Sequence, residues 1–269
     1  MSLDLQKEQL GKHLDAGPRH HRAWVGSPGN YDLSSALQFS LLTSLGLREQ
    51  HTLLDIGCGS LRGGRLALMY LLPEHYFGIE PEQWLIEAGI QKEIGQDLVD
   101  LKKPSFNNDG NFTLSVFQRN FDYLIAQSVF SHATQAQIHR CLEQAAQVMT
   151  PSSLFVANFM EGPDNYAGDQ WVYPGCSEFT LDFMIKMVES HGLVCKPVPW
   201  PHPIGLSWIV IHRPEHNGDA LDLAQQPVFL KSELKVYKQQ IAQLQQNPYV
   251  KIALGIKQVV TKLRGRFSR

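Results

Sequence analysis

The sequence has few cysteines, and their spacing matches no common metal or disulfide pattern. Four occur in 269 residues, at positions 58, 141, 176 and 195, and no two of them form a Cys-x-x-Cys pair. Structural zinc sites and the disulfide frameworks of small secreted proteins usually need closer or denser cysteines. The sequence therefore predicts no metal site and no disulfides, and it favours a reducing compartment, the cytoplasm.

Long apolar runs and an excess of one charge are also missing. No stretch approaches the roughly 20 apolar residues that span a membrane. The first twenty residues contain Asp4, Glu8 and Asp15 and lack the apolar core of a secretory signal. The formal net charge is −2, whereas nucleic-acid-binding domains are usually basic. These absences predict a soluble protein without a nucleic-acid partner.

The chain has enough apolar residues to bury a full core. Hydrophobic residues make up 43% of the sequence and charged residues 19%, which is typical of a globular domain. We predict three parts: an amino-terminal cap segment with a helix over residues 1–49, a central domain over 50–214, and a linker with a helical tail over 215–269.

Strand and helix patterns alternate through the central domain. Strands are predicted near residues 51–56, 75–80, 121–127, 154–159, 193–198 and 206–212, and helices near 33–46, 61–71, 82–94, 134–149 and 181–191. A further strand is expected between Leu98 and Phe117, where Pro104 and Gly110 interrupt the pattern. Such alternation predicts an α/β, doubly wound, Rossmann-like sheet that is mostly parallel, and the two closely spaced last strands predict an antiparallel final strand.

A glycine loop follows the first predicted strand. Asp55 precedes Gly57 and Gly59, and these glycines can adopt positive φ and let a ligand approach the backbone. Glu80 ends the next strand, where an acidic side chain can accept hydrogen bonds from both hydroxyls of a ribose. Together the loop and Glu80 predict a nucleotide-cofactor site.

The spacing of the loop separates three kinds of nucleotide site. A phosphate-binding NTPase loop would need Lys and Ser or Thr where Arg65 and Leu66 stand, so that class is excluded. A dinucleotide loop would have glycine at position 62, where this chain has Arg62. An NAD(P)-binding oxidoreductase therefore remains an alternative, although its motif is incomplete.

Four segments resemble the motifs of class I S-adenosylmethionine (SAM)-dependent methyltransferases. Residues 53–64, Leu-Leu-Asp-Ile-Gly-Cys-Gly-Ser-Leu-Arg-Gly-Gly, resemble the first motif, and residues 76–80 resemble the second. Residues 121–132 are similar to the fourth-strand motif, and 141–160 to the helix, turn and strand that follow it. The resemblance covers residues 50–212, and the first motif is similar to that of small methyltransferases of saccharide or secondary-metabolite pathways.

The resemblance implies SAM as the cofactor and a methyltransferase domain over residues 50–214. It implies cofactor-binding roles for Asp55, Gly57, Cys58, Gly59, Glu80, Asn108, Asp109, Gln127 and Ser128. The implied reaction is O-methylation of a saccharide or another small hydroxylated acceptor. Besides the oxidoreductase, a non-catalytic scaffold protein that retains the cofactor fold is an alternative.

Two residues are candidates for the base that removes the acceptor proton. Ligands of open α/β sheets bind beyond the carboxyl ends of the strands, and both His132 and Glu161 lie at such ends. His132 is the first choice because an imidazole with an ordinary pKa near 6.5 can accept a proton at neutral pH. The alternative is that His132 has only a structural role at the start of the next helix.

Residues 160–179 form a long segment without helical or strand periodicity, which is typical of a binding loop. Its aromatic residues predict stacking on a sugar or planar acceptor, unless they only cover the edge of the sheet. The predicted substrate-binding residues are Tyr166, Trp171, Tyr173, His202 and Trp208. His20, His21, Trp24 and Tyr31 are expected to close the site from the amino-terminal side.

The tail carries two helical patterns. Leu230, Leu234, Tyr237, Ile241 and Leu244 have heptad spacing. From residue 248 onward an apolar helical face is flanked by lysines and arginines without any acidic residue, a pattern typical of helices at a membrane interface. Residues 228–269 therefore predict self-association or peripheral contact with the inner membrane surface, with docking onto the central domain as the alternative.

Overall fold

Eight strands form the central sheet of residues 10–216, the part of the chain that the computed structural model describes. The strands are β1 (Leu53–Ile56), β2 (Tyr76–Ile79), β3 (Ser105–Asn107), β4 (Phe121–Ala126), β5 (Met149–Glu161), β6 (Glu178–Phe179), β7 (Val194–Val198) and β8 (Ser207–His212). These residues belong to one compact unit, Met1–Leu221. The heptad pattern and the basic helix predicted within 228–269 lie outside the described residues.

The strands follow the order β3-β2-β1-β4-β5-β8-β7, and the short β6 pairs with the end of β5. Neighbouring strands from β3 to β5 are parallel, whereas β8 is antiparallel to both β5 and β7. The predicted doubly wound sheet with an antiparallel final strand is therefore confirmed. The strand order reverses direction at β1, which lies between β2 and β4, and ligands bind at such a switch point in open α/β sheets.

Six α-helices flank the sheet within the described residues. They are α1 (Tyr31–Ser44), α2 (Gly64–Tyr70), α3 (Gln83–Gly89), α4 (Gln96–Lys102), α5 (Gln135–Val148) and α6 (Leu181–Glu189). Short 3-10 turns span Pro28–Asn30 and Leu114–Phe117, and a π-helical turn spans Ile90–Ile94. Helix α2 begins three residues later than predicted because Leu61, with a φ of 61°, still belongs to the glycine loop.

Helix α5 begins with a capping box. The Thr134 hydroxyl accepts a hydrogen bond from the main-chain N–H of Gln137 at 3.1 Å, and the Gln137 side chain accepts one from the Thr134 N–H at 2.9 Å. Both bonds satisfy N–H groups that a helix start would leave unpaired. The box fixes where the chain turns from the end of β4 into α5.

Residues 96–117 differ from the predicted pattern. Helix α4 was not predicted, and β3 has only three residues, starting directly after Pro104. After β3, the Asp109 carboxylate accepts hydrogen bonds from the main-chain N–H groups of Asn111 at 3.0 Å and Thr113 at 2.6 Å. These bonds hold the turn that brings Asp109 toward the end of β2.

The hydrophobic core lies between the central strands and the helices that cover them. Leu124 of β4 and Phe155 of β5 are fully buried and belong to one apolar cluster with Ile138 of α5 and Val188 of α6. Among residues 10–216, no helix combines the length and the apolar character needed to cross a membrane. The rigid core fixes the carboxyl ends of the strands, where the site lies.

An ion-pair cluster fastens the amino-terminal cap to the domain. The Glu93 carboxylate accepts hydrogen bonds from His21 at 2.9 Å, from Arg22 at 2.7 and 2.9 Å, and from Arg65 at 3.2 Å. The Tyr31 hydroxyl donates to the main-chain oxygen of Ser60 at 3.1 Å. These contacts hold the segment before α1 close to the residues that follow the glycine loop.

Candidate functional site

The glycine loop has a backbone shape that favours glycine at two positions. Gly57 and Gly59 have φ values of 70° and 53°, which side chains rarely adopt. A Cβ atom on Gly57 would lie 2.7 Å from a methyl group of Val129, and one on Gly59 would lie 2.6 Å from a methyl group of Val25. The loop is therefore enclosed between the segment that follows β4 and the amino-terminal cap.

Glu80 is bound directly to this loop. One carboxylate oxygen accepts the main-chain N–H of Gly59 at 2.9 Å, and the other accepts that of Glu82 at 3.0 Å. Burial raises the pKa of Glu80, and these two hydrogen bonds oppose that rise. Each oxygen keeps a further lone pair, so the fixed carboxylate can accept two more hydrogen bonds from vicinal hydroxyl groups.

Asp55, at the end of β1, is buried at the bottom of the site. Its carboxylate accepts a hydrogen bond from the Tyr76 hydroxyl at 2.7 Å. Burial raises the pKa of Asp55 from 3.8 to about 6, although the Tyr76 hydrogen bond and the charge of Arg62 lower it. Asp55 thus provides a poorly solvated negative charge for a cationic ligand group.

A cavity of about 680 Å³ opens beyond the carboxyl ends of β1, β2 and β4. It is bounded by the glycine loop, the amino-terminal cap, the segment 171–176 and the turn 202–204. It brings together most of the predicted site residues: Asp55, Gly57, Cys58, Gly59, Glu80, Asp109, Gln127, Ser128, His132, Trp171, Tyr173 and His202. Trp24, expected at the amino-terminal side, also lines it.

Two predicted polar residues lie outside the cavity lining. Asn108 donates a hydrogen bond to the main-chain oxygen of Glu80 at 2.8 Å, so it stabilises the end of β2. Glu161 is exposed and accepts a hydrogen bond from Ser207 at 2.6 Å. The prediction placed Glu161 just beyond a strand that ended at residue 159, but β5 continues through Glu161 at the outer rim of the sheet.

Two predicted aromatic residues are also outside the lining. The Tyr166 hydroxyl donates to the main-chain oxygen of Gln170 at 2.9 Å, so the side chain folds back on its own loop. Trp208 is fully buried in β8, and its ring contacts the His202 ring edge-on at 6.0 Å between centroids. Trp208 therefore supports a cavity residue and does not form the wall itself.

His132 is held in one tautomer. Its Nδ1 atom lies 2.8 Å from the main-chain oxygens of both Val172 and Gly175. Carbonyl oxygens only accept hydrogen bonds, so Nδ1 carries the proton and Nε2 has the free lone pair in the neutral ring. Burial lowers the pKa of His132, the two carbonyls raise it, and the charge of Arg62 lowers it. The net direction is downward, which favours a neutral imidazole at pH 7.

His202 has the complementary arrangement. Its Nδ1 accepts the main-chain N–H of Ile204 at 3.4 Å, so a neutral ring carries its proton on Nε2. That Nε2 is buried and has no hydrogen-bond partner among residues 10–216. Burial, together with the charge of Arg62, lowers the pKa of His202 to about 4. The cavity thus contains one imidazole suited to accept a hydrogen bond and one suited to donate.

Other polar atoms in the lining have no partner within the described residues. Both side-chain amide atoms of Gln127 and the hydroxyl of Ser131 are buried in this way. An unpaired buried polar atom costs about 1–3 kcal/mol, and in native structures it often marks a missing ligand or water. These atoms therefore indicate a cavity built for a polar ligand.

Ser131 and Arg62 also line the cavity, although neither was predicted as a site residue. Ser131 gave no local signal, since a lone serine before a helix is common. Arg62 was noted only as the residue that replaces the third glycine, yet it lines the cavity. An arginine inside a glycine loop was the available signal.

No protein-family model and no curated protein sequence matches the chain. Solved structures do. Magnesium protoporphyrin IX methyltransferase from Synechocystis with bound SAM aligns over 79% of this chain and 92% of its own, with 12% identity and a TM-score of 0.55. Mitomycin 7-O-methyltransferase aligns over 72% and 56%, with 17% identity and a TM-score of 0.53.

A glycopeptide N-methyltransferase in complex with SAM is a third structural neighbour. It aligns over 68% of this chain and 94% of its own, with 11% identity and a TM-score of 0.51. At these identities the likeness establishes the fold. The chain has the fold of class I SAM-dependent methyltransferases, as the motif resemblance predicted.

Proposed function

We propose that this chain is a SAM-dependent methyltransferase that acts on an oxygen of a small hydroxylated acceptor, such as a saccharide. The observation that carries the proposal is the hydrogen bond between Glu80 and the glycine loop, formed beside a cavity that also contains His132. Structures of this fold have been solved with SAM, sinefungin and S-adenosylhomocysteine.

The cofactor fits the residues at the end of β1, β2 and β4. Glu80 would accept hydrogen bonds from the ribose hydroxyls, and Asp109, which also lines the cavity, would contact the adenine. Gly57, Cys58 and Gly59 would leave room for the methionine end, with Asp55 supplying negative charge. Gln127 and Ser128 would form the floor, where the unpaired Gln127 amide offers a donor and an acceptor. Asn108 would act through its bond to the Glu80 backbone.

SAM, when bound, supplies an electrophilic methyl group. The remaining work for the protein is to align the acceptor and to take up its proton. Nε2 of His132 would accept that proton, while the carbonyls of Val172 and Gly175 hold the ring through Nδ1 and stabilise the imidazolium that forms. Nε2 of His202 would donate a hydrogen bond to the acceptor. Glu161, which is exposed at the rim of the sheet, is the weaker candidate for the base.

Aromatic side chains line the outer half of the cavity. Trp171 is 44% exposed and contacts the His132 ring, and Tyr173 contacts both His132 and Trp24. The Tyr173 hydroxyl donates to the main-chain oxygen of Trp24 at 2.6 Å, which links the loop to the cap. A sugar or planar ring would stack on these faces. Tyr166 and Trp208 would support this wall from outside the cavity.

Calorimetry with SAM on the full chain tests the proposal. A charged acceptor contributes about 1.5–3 kcal/mol per hydrogen bond, so Glu80→Ala should weaken binding at least about tenfold. Glu143→Ala, which removes an exposed carboxylate of α5, is the matched control and should leave affinity unchanged. No binding of SAM, or equal binding by Glu80→Ala, would overturn the proposal.

Binding, turnover and assembly measurements separate the two alternatives. An NAD(P)-binding oxidoreductase would bind NADH in preference to SAM. A non-catalytic scaffold would bind SAM without turnover across a panel of hydroxylated acceptors, and deletion of residues 228–269 would abolish its assembly. The proposed enzyme should bind SAM, ignore NADH and methylate at least one member of the panel.

A further inference from the structure

Arg62 is a cavity cation without a carboxylate partner. Arg62 lines the cavity, and its one hydrogen bond within residues 10–216 goes from the guanidinium to the main-chain oxygen of Val25. No carboxylate of the described residues forms an ion pair with it. By contrast, the neighbouring Arg22 and Arg65 share the carboxylates of Glu93 and Asp32.

Burying an unpaired cation is unfavourable. Burial lowers the pKa of Arg62, while the surrounding groups Tyr31, Asp55 and Tyr173 oppose this effect. An arginine nevertheless stays protonated in proteins. Asp55, the carboxylate among these groups, already accepts a hydrogen bond from Tyr76. Most of the N–H donors of Arg62 therefore remain available to a ligand in the cavity.

The backbone of the cap fixes the position of this guanidinium. Gly26 has a φ of 122°, and a Cβ atom there would lie 3.2 Å from Nη1 of Arg62. A side chain at residue 26 would be strained at this φ and would displace the guanidinium by a few tenths of an ångström. Together with the carbonyl of Val25, this contact orients the guanidinium before any ligand binds, which reduces the cost of ordering it on binding.

We propose that Arg62 binds a carboxylate group of a ligand in the cavity. The planar guanidinium matches the two oxygens of a carboxylate. This inference deepens the proposed function, on which it rests for the identity of the ligand. The carboxylate is either that of the methionine end of the cofactor or an acidic group on the acceptor.

The surroundings of Arg62 fit both sources. The charge of Arg62 acts to lower the pKa of Asp55, which would face the ammonium group of the cofactor. It acts in the same direction on His132, Tyr173 and His202, which are proposed to contact the acceptor. All of these residues line the cavity with Arg62, so Arg62 lies near groups of both proposed halves.

Two matched pairs of ligands test the proposal by calorimetry. S-adenosylhomocysteine has the amino-acid carboxylate, and 5′-methylthioadenosine lacks the amino-acid end. 4-Hydroxybenzoate carries a carboxylate, and 4-hydroxybenzamide is its uncharged counterpart; this pair is measured with and without saturating S-adenosylhomocysteine. The variants are Arg62→Gln and Arg62→Lys, and Arg140→Gln, an exposed arginine of α5, is the control.

Arg62→Gln should weaken a carboxylate ligand at least about tenfold while leaving its uncharged counterpart unchanged. Arg62→Lys, which keeps the charge without the planar fork, should recover part of the loss and guards against misfolding of the Gln variant. Loss confined to the nucleoside pair assigns the carboxylate to the cofactor, and loss confined to the benzoate pair assigns it to the acceptor.

The proposal is overturned if Arg62→Gln weakens neither carboxylate ligand more than its uncharged counterpart. Failure of the proposed function looks different, because then the wild-type chain binds neither nucleoside. In that case the benzoate and benzamide pair still decides whether Arg62 receives an anion.

Discussion

Glu80 accepts the main-chain N–H of Gly59 at 2.9 Å, so the carboxylate that ends the second strand holds the loop that follows the first. The two halves of the proposed cofactor site are therefore one hydrogen-bonded unit. This explains why a glycine loop and an acidic residue at this spacing predict a nucleotide site better than either does alone. It also makes the loop conformation a testable property.

Gly59→Ala should destabilise the protein by about 2–3 kcal/mol. A left-handed backbone costs a residue with a side chain about 1–2 kcal/mol, and the new Cβ would lie 2.6 Å from a methyl group of Val25. Urea unfolding measures the loss. Gly192→Ala is the control, because Gly192 has a φ of 70° but no atoms within 4 Å of the added Cβ.

The control should be destabilised only by the cost of the left-handed backbone, about 1–2 kcal/mol. Adding Val25→Ala to Gly59→Ala should restore part of the contact energy and none of the backbone strain. Equal destabilisation by Gly59→Ala and Gly192→Ala would show that the contact with Val25 contributes nothing to the loss of stability.

The sequence predicted the central strands because they are buried on both faces. β1 and β4 read as short apolar runs, and their positions agree with the prediction to within two residues. Helix α4 was not predicted, and strand β3 was expected only somewhere between Leu98 and Phe117, because neither element contains a fully buried residue. Without a buried face there is no apolar periodicity to detect.

The cofactor half of the site was easier to predict than the acceptor half. The glycine loop and Glu80 are set by local sequence, since each ends a strand of the same sheet edge. Arg62 acquires its importance from the cap, which arrives from the amino-terminal segment and covers it at Val25. Such tertiary contacts leave no periodic trace in the sequence.

Asp55→Asn should stabilise the protein at pH 7.5 and much less at pH 4.5. Folding raises the pKa of Asp55 from 3.8 to about 6, so its protonated form is favoured in the folded state. The associated stability is present below pH 3.8 and is lost as pH rises through about 6. Because one pKa unit corresponds to about 1.4 kcal/mol and folding raises this pKa by about two units, the neutral variant should gain about 3 kcal/mol at pH 7.5.

Chemical unfolding at both pH values measures this difference. Asn retains an acceptor for the Tyr76 hydroxyl, so the comparison isolates the charge. Asp182→Asn, at an exposed position of α6, is the control and should show no such gain. A gain of the same size at both pH values would contradict the assignment of the raised pKa to Asp55.

His132 should titrate below its ordinary pKa of 6.5 and carry its neutral-state proton on Nδ1. Burial is the main cause of the lowered pKa, with a contribution from the charge of Arg62. A base must be neutral to accept a proton, so a lowered pKa keeps Nε2 available at pH 7. NMR of ¹³C- and ¹⁵N-labelled histidine gives both the midpoint and the tautomer.

Two variants complete that experiment. His132→Gln assigns the resonance, and Arg62→Gln should shift the midpoint upward because the neighbouring positive charge is gone. A midpoint above 6.5, or a neutral ring protonated on Nε2, would exclude His132 as the base arranged by Val172 and Gly175.

Glu93→Gln should detach the amino-terminal cap and weaken ligand binding at the same time. The Glu93 side chain is 4% exposed and pairs with Arg22, which is 7% exposed. Breaking a buried pair by removing one charge costs about 3–5 kcal/mol because the other charge is left uncompensated. Asp32→Asn is the matched control: Asp32 binds the same two arginines but is 64% exposed, and such pairs contribute about 0–1 kcal/mol.

The contribution of Glu93 to the pH dependence of stability should have the opposite sign to that of Asp55. Burial raises the pKa of Glu93, but the hydrogen bonds from His21 and Arg22 and the charges of Arg22 and Arg65 outweigh it and lower the pKa below 4.5. Its stabilising contribution is therefore present above pH 4.5 and is lost on acidification.

Because Trp24 and Val25 of the cap line the cavity, Glu93→Gln should also reduce affinity for S-adenosylhomocysteine in calorimetry. If Glu93→Gln lowers the free energy of unfolding but leaves that affinity unchanged, the cap does not contribute to ligand binding.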